Sequence, residues 1–219
     1  MLTPLLAGLG LGFSLIVAIG AQNLFVLRQG IRREHVFVVA AICALSDAVL
    51  IVLGVSGIGL VLLAAPWLID VVRWAGAIFL VAYGLMAARR AWKPSGKALE
   101  AETPQAPTVD APGAVGTAPI STRTRLLPVV LTCLALTWLN PHVYLDTVFL
   151  LGTVANTHGD QRWVFAAGAI IASIVWFFGL AFGARYLGRW LSTPRAWRVL
   201  DAVIAVVMIA IGVSLVLPH

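Results

Sequence analysis

Long apolar runs separated by short polar stretches are the feature that most limits what this chain can fold into. Residues 2–27 carry no charge, residues 36–69 carry one, and residues 163–184 again carry none. About 20 such residues cross the hydrocarbon core of a bilayer. Only 11% of the 219 residues are charged, whereas a soluble domain has roughly 25%. The pattern predicts an integral membrane protein and excludes a soluble enzyme, a disordered regulator and a nucleic-acid-binding protein.

Turn signals and charges divide the apolar runs into six predicted membrane helices. The run over 36–69 is too long for one crossing, and Gly54 and Pro66 are among the residues at which it can turn. Residues 93–125 hold five of the eleven prolines, which predicts a flexible linker. The predicted helices cover residues 2–27, 36–57, 67–88, 126–154, 163–184 and 199–217.

The linker separates two halves of three helices each, residues 1–92 and 126–219. Because each half has an odd number of helices, the second half enters the membrane upside down relative to the first. The predicted fold is therefore an all-α membrane protein of two inverted three-helix repeats joined by a disordered cytoplasmic linker, an arrangement found in secondary transporters. Asn23 in the first helix and Asn140 in the fourth are a weak internal echo of such a repeat.

The positive charges are distributed very unevenly among the predicted loops. Thirteen of the fifteen Lys and Arg residues fall in or beside loops 1, 3 and 5, and only Arg73 and Arg162 lie in the other two. Cytoplasmic loops carry such an excess, so loops 1, 3 and 5 are predicted in the cytoplasm and both termini outside a multi-pass cell (inner) membrane. The same arginines would attract anionic lipid headgroups.

The sequence has no pattern typical of an enzyme, a cofactor site or a metal site. Neither HExxH nor GxSxG occurs. Cys43 and Cys133 both lie in apolar runs without CxxC spacing, so we interpret them as small packing residues. No enzyme activity, cofactor or metal is predicted.

Two aspartates fall inside predicted membrane helices, where a carboxylate normally faces a cavity or a partner. Asp47 lies about 16 Å into the second helix, near the middle of a core about 30 Å thick. Asp146 would lie near the outer surface of a straight fourth helix, but a break at Pro141 would bring it inward. A structural acid bonded to serine and an acid in surface water are the alternatives. Asp201, three residues past Arg198, is expected at the interface.

Two membrane helices contain weak points. Gly20 precedes the carboxamides of Gln22 and Asn23, and Asn140 precedes Pro141. Interrupted helices in corresponding positions of two halves indicate a transporter binding site, because freed carbonyls and amides can bind an ion or substrate. Hydrogen bonding of the carboxamides between helices is the alternative interpretation.

Aromatic residues near these points could bind a cation. Trp138, Tyr144 and Trp176 have faces that would attract a positive charge. Packing and lipid anchoring are the other common roles of such residues in membrane helices. The sequence alone leaves both interpretations open.

Three segments resemble the lysine exporter family of basic amino-acid exporters, which includes arginine exporters. They are Gly-Ala-Gln-Asn through Gly30, Cys-Ala-Leu-Ser-Asp ending at Asp47, and Thr-Trp-Leu-Asn-Pro-His-Val-Tyr-Leu-Asp ending at Asp146. The chain departs from the family pattern at Ala21, where the family has proline. That departure leaves open whether the first helix is broken.

The resemblance implies export of L-arginine, L-lysine or both from the cytoplasm, and two intramembrane carboxylates are natural counter-charges for such a cation. Our hypothesis is exchange for protons by alternating access, in which Asp47 and Asp146 alternate between the substrate cation and a proton, while Gln22, Asn23 and Asn140 bind the backbone groups of the substrate. A neutral amino acid, another small cation, or a passive channel remains an alternative. Symmetric assemblies are common enough to make a homodimer a further expectation.

Overall fold

All regular structure in the described part of the chain is helical. The computed structural model describes residues 2–18, 20–57, 66–92, 125–187 and 193–217, so the predicted linker over 93–125 lies outside the described residues except for Arg125. A short 3₁₀ turn, Gly159–Gln161, precedes α7. The helices are α1 (Leu2–Ile16), α2 (Ala21–Arg32), α3 (Val36–Val55), α4 (Pro66–Trp92), α5 (Leu126–Trp138), α6 (Pro141–Asn156), α7 (Arg162–Leu187) and α8 (Pro194–Ser214).

Length and hydropathy make four of these helices candidate membrane spans by themselves. The spans are Val36–Val55, Asp70–Trp92, Gly159–Leu187 and Arg195–Ser214. Two more arise if the bent pairs α1 with α2 and α5 with α6 each count as one span; the bends are 83° and 56°. The prediction of an all-helical membrane protein is confirmed, with four to six spans among the described residues.

Several helices extend further than the apolar pattern indicates. The helix predicted to end at residue 27 continues as α2 to Arg32, and α4 ends at Trp92 rather than at residue 88. At the other end of its predicted range, α8 begins at Pro194 instead of residue 199. Arginine stems can follow a helix while the charged heads reach polar surroundings, so charge marks the membrane boundary better than it marks the end of a helix.

The long helix α7 is the centre of the packing, because α1, α2 and α3 all pack against it. Small residues let α1 and α7 approach closely. A Cβ atom at Gly168 would overlap the Leu5 carbonyl, and one at Gly8 would overlap the Phe165 carbonyl. Close backbone approach at small residues is typical of helix association in membranes. Elsewhere, α4 packs along α8.

Helix α3 runs in the same direction as the bent pair α5 and α6. Cys43 lies against Cys133, Ser46 against Trp138, and Gly54 against the backbone at Val148. The sequence offset between partners changes only slightly along these three contacts, which defines a parallel register. Through α3, the part of the chain before the linker packs directly on the part after it.

Candidate functional site

The first helix break lies between α1 and α2 and is held by a carboxamide. Gly20 has an extended backbone (φ −125°, ψ 172°) and precedes the first residue of α2. Asn23 Nδ2 donates to the carbonyl oxygens of Ile16 and Ala18, both at 2.8 Å. Carbonyls left free at the end of α1 thus gain a donor. The break is present even though position 21 is alanine.

The second break separates α5 from α6 and is built around Pro141. Asn140 is extended, and its Oδ1 accepts a hydrogen bond from the His142 backbone N–H at 3.1 Å. The Tyr144 hydroxyl donates to the Trp138 carbonyl oxygen at 2.9 Å, across the break. Residues Tyr144–Leu151 of α6 then form a π-helix. The π-helix is rare in proteins, and many of the known examples lie at functional sites.

The carboxylate of Asp47 is buried in α3, with 7% of the residue exposed. Ser173 of α7 donates its hydroxyl to Asp47 Oδ2 at 2.9 Å. The preceding residue, Ser46, accepts a hydrogen bond from Trp138 Nε1 at 3.3 Å. Asp47 is therefore bonded to a serine, as one interpretation of the sequence expects, and its helix is tied to the second break.

Helix α7 connects this carboxylate to the first break. Ser173 and Trp176 are three residues apart and so lie on one face of α7. Trp176 Nε1 donates to Asn23 Oδ1 at 3.2 Å. Ser173 was missed as a site residue; the signal for it was a hydroxyl within a charge-free helix. We call the side chains of these three hydrogen-bonded pairs the polar cluster: Asn23 with Trp176, Ser46 with Trp138, and Asp47 with Ser173.

Gln22 brings a buried hydrogen-bond donor close to the polar cluster. Its Nε2 atom lies beside the thiol of Cys43, a weak acceptor one helical turn from Asp47, and makes no hydrogen bond of ordinary geometry among the described residues. Cys43 Sγ is 3.1 Å from Cys133 Sγ, with both residues fully buried, consistent with packing roles. A buried group of this kind calls for an explanation, and a ligand would supply one.

Asp146 lies apart from this cluster. It is half-buried in the π-helical part of α6, and its carboxylate has no hydrogen bond or ion pair within the described residues. Because Gly54 lies against Val148, Asp146 is level with residue 52 of α3, which is about 7.5 Å further along that helix than Asp47 at about 1.5 Å per residue. The structure thus joins Asp47, Asn23 and Trp138, and leaves Asp146 on the same helix pair at another depth.

The two breaks face each other across a narrow gap beside α4. Ala21 lines it from the first break, and Leu139 and Asn140 line it from the second. The gap is too narrow for a water molecule. A Cβ atom at Gly76 of α4 would overlap the Leu139 carbonyl, so the unwound backbone lies directly against α4.

A second charged cluster lies at the end of α2, away from the polar cluster. Arg28 Nη2 is 3.1 Å from Asp201 Oδ1, and Arg90 Nε is 3.5 Å from the same oxygen. The Arg28 and Asp201 side chains are only 7% and 12% exposed. Sequence reasoning expected Asp201 at the interface, whereas α8 buries it against α2 and α4. No local sequence signal pairs residues so far apart along the chain.

The sequence is similar to those of known transport proteins. The family model described as LysE type translocator matches residues 13–218. A protein of Mycobacterium tuberculosis whose name gives it provisionally as an amino-acid transporter is 48% identical over 200 residues, covering 91% of this chain and 90% of its own length. The lysine exporter LysE of Corynebacterium efficiens is 42% identical over 220 residues, covering 96% of each chain.

An arginine exporter is also among the relatives. ArgO of Klebsiella pneumoniae is 40% identical over 210 residues, covering 95% of this chain and 90% of its own length. No solved structure matches the chain. The relatives extend over nearly the whole chain, so the likeness includes both helix breaks.

Proposed function

The chain belongs to the family of LysE type translocators and is therefore a membrane transporter rather than an enzyme, and on that premise we propose that it exports basic amino acids, L-arginine or L-lysine, from the cytoplasm. The observation that carries the choice of a cationic substrate is the buried carboxylate of Asp47 within a candidate span. A carboxylate in such a position needs a positive partner or a proton. Relatives named lysine exporter and arginine exporter support the same substrate class.

The helix breaks supply the groups that would bind the backbone end of the substrate. An amino acid carries an ammonium and a carboxylate on one carbon, and these need acceptors and donors together. Asn140 and Gln22 offer carboxamides beside unwound backbone, and the Gln22 Nε2 makes no hydrogen bond of ordinary geometry among the described residues. Asn23 would act chiefly by holding the first break open, because its Nδ2 already bonds two carbonyls.

Asp146 is proposed as the second counter-charge. It lies about 7.5 Å from the level of Asp47 along α3. A dibasic amino acid has cationic groups at both ends of a long side chain, so carboxylates at two depths suit it better than one pair at a single depth. In this proposal Asp47 and Asp146 alternate between substrate cation and proton, and Trp138 and Tyr144 border the path between them.

Membrane energetics favour a coupled ion. Moving one positive charge outward against an inside-negative potential costs about 2.3 kcal/mol per 100 mV. Exchange of one monovalent substrate for one entering proton moves no net charge, so this cost disappears. Proton antiport is therefore the proposed coupling.

Alternating access is proposed as rocking of the two three-helix halves about the polar cluster. Asp47 and Ser173 belong to different halves, and the bond between them crosses the boundary. The proposed orientation has loops 1, 3 and 5 in the cytoplasm and both termini outside. A cysteine introduced into the linker should then react with an impermeant reagent only after the cytoplasmic side is opened.

Efflux from proteoliposomes loaded with radiolabelled arginine or lysine tests the proposal. We expect Asp47→Asn to reduce efflux at least about tenfold, because the substrate cation loses its counter-charge. Asp70→Asn is the matched control, since Asp70 lies at an exposed helix end and pairs only with Arg73 among the described residues. Equal efflux by Asp47→Asn and the unmutated protein would refute the carboxylate mechanism.

Further arms of the same assay separate the alternatives. A pH gradient with a more acidic external medium should accelerate efflux of the substrate loaded inside the vesicles. An unchanged rate would refute proton coupling. Flux that never proceeds against a gradient would identify a channel instead. Equal transport of leucine would identify an exporter of neutral amino acids.

A further inference from the structure

An open cleft lies at the end of the bundle where α2 ends, α3 begins and α7 ends. Its volume is about 430 Å³, within the range of small-ligand sites. Arg33 at the end of α2 lines it, as do Phe182, Arg185 and Tyr186 of α7. The cleft is separate from the polar cluster, which lies deeper along α3 and α7.

Both guanidinium groups at this cleft lack a carboxylate partner among the described residues. Arg185 donates to the Tyr186 hydroxyl at 2.9 Å and lies 4.8 Å from its ring centroid, and neither contact supplies a negative charge. Two arginines on one cleft, neither of them in an ion pair with another described residue, fit a ligand with a single compact anionic group.

Arg33 occupies a backbone position that usually belongs to glycine. It is the C-cap of α2 with φ 55°, and its N–H bonds the Gly30 carbonyl oxygen. Glycine is the common residue at such left-handed helix ends. An arginine there accepts an unfavourable backbone conformation and directs a long cationic side chain at the cleft.

A column of aromatic rings continues from the cleft along the outside of the bundle. Phe182 stacks on Phe178 with centroids 6.1 Å apart, and Phe178 meets Phe37 edge to face at 5.6 Å. Phe37 is 64% exposed and Phe182 41%. In a membrane these exposed rings would contact acyl chains. The column begins beside the two arginines, so a lipid could place its phosphate at the arginines and its acyl chain along the rings.

We propose that this cleft binds one anionic phospholipid, with the phosphate between Arg33 and Arg185 and an acyl chain along Phe182, Phe178 and Phe37. The two arginines belong to segments before and after the linker. A bound lipid therefore bridges the ends of α2 and α7, which pack against each other. The site is independent of the proposed substrate and is measured without transport.

Native mass spectrometry of the purified full chain, titrated with phosphatidylglycerol, tests the proposal. We expect the double variant Arg33→Gln/Arg185→Gln to bind the lipid about 30-fold more weakly, which corresponds to about 1 kcal/mol for each of two arginines. The matched control is Arg89→Gln/Arg125→Gln, which removes two exposed arginines outside the cleft. This control should bind as the unmutated protein does.

Three outcomes would overturn the proposal. An equal loss in the control pair would indicate diffuse attraction, and equal affinity for phosphatidylcholine would exclude recognition of charge. Displacement of the lipid by inorganic phosphate at matching concentration would identify a free anion as the ligand. If the glutamine pair fails to fold, Arg33→Lys/Arg185→Lys, which keeps both charges, should retain binding within about threefold, and loss of binding in this folded variant would also refute the site.

Discussion

The buried ion pair between Arg28 and Asp201 allows the sharpest prediction about stability. Asp201→Asn removes the only carboxylate within reach of Arg28 and Arg90 among the described residues. Breaking a buried pair by removing one partner costs about 3 to 5 kcal/mol, because a charge stays buried without compensation. Arg90 is 37% exposed and lies 5.7 Å from the Tyr83 ring centroid, so it can turn toward water. We therefore expect a loss of about 3 kcal/mol, due mainly to Arg28.

The free energy of unfolding can be measured by titrating the protein in mixed micelles with a denaturing detergent. Asp160→Asn is the control, because Asp160 is exposed on the turn before α7, and it should change stability by less than about 0.5 kcal/mol. Removing the stranded cation as well, in Arg28→Gln/Asp201→Asn, should recover at least about 1 kcal/mol relative to Asp201→Asn alone. Strictly additive losses, or an Asp201→Asn loss no larger than that of the control, would refute the reasoning.

Two further predictions concern packing and capping. Gly168→Val should destabilise the protein by about 1 to 3 kcal/mol in the same titration, because α1 and α7 leave no room for a side chain there. Gly10→Val should be neutral, because a Cβ atom at Gly10 would meet no neighbouring atom within 4 Å. Equal effects would refute the close crossing. Thr193→Ala should cost about 1 kcal/mol and speed amide exchange at Ala196, whose N–H the threonine hydroxyl accepts at 3.3 Å, and unchanged exchange would show that the cap contributes nothing.

Much of the fold is predictable because bilayer thickness fixes helix length. Apolar runs over residues 36–57, with the single charge of Asp47, and over residues 163–184, with none, predicted α3 and α7 to within a few residues, since interior polar groups are costly in a membrane. The end of α2 was not predictable in this way. Arg28 is buried within α2, where Asp201 compensates its charge, and that contact joins residues more than 170 positions apart. A local pattern contains no information about such a pair.

The candidate site was predictable in its residue types and less so in its connections. Carboxamides next to Gly20 and Pro141 indicated weak points, and both lie where the helices are interrupted. The identity of the bonding partners depends on which face of α7 meets α2 and α3. Trp176 and Ser173 therefore could not be assigned to Asn23 and Asp47 before the packing was known.

Two polar contacts, one at Asp47 and one at Asp201, connect the halves of the chain before and after the linker. Ser173 donates a hydrogen bond to Asp47 across the boundary midway along α3, and Arg28 forms an ion pair with Asp201 across it at the end of α2. A substrate cation at Asp47 would share the carboxylate that accepts from Ser173, so on our proposal substrate binding is coupled to this contact between the halves. The ion pair between Arg28 and Asp201 would then be the main polar contact between the halves at the end of α2. Asp201→Asn should consequently change the balance between the two access states as well as stability, whereas Asp47→Asn should abolish the response to substrate and leave the ion pair intact.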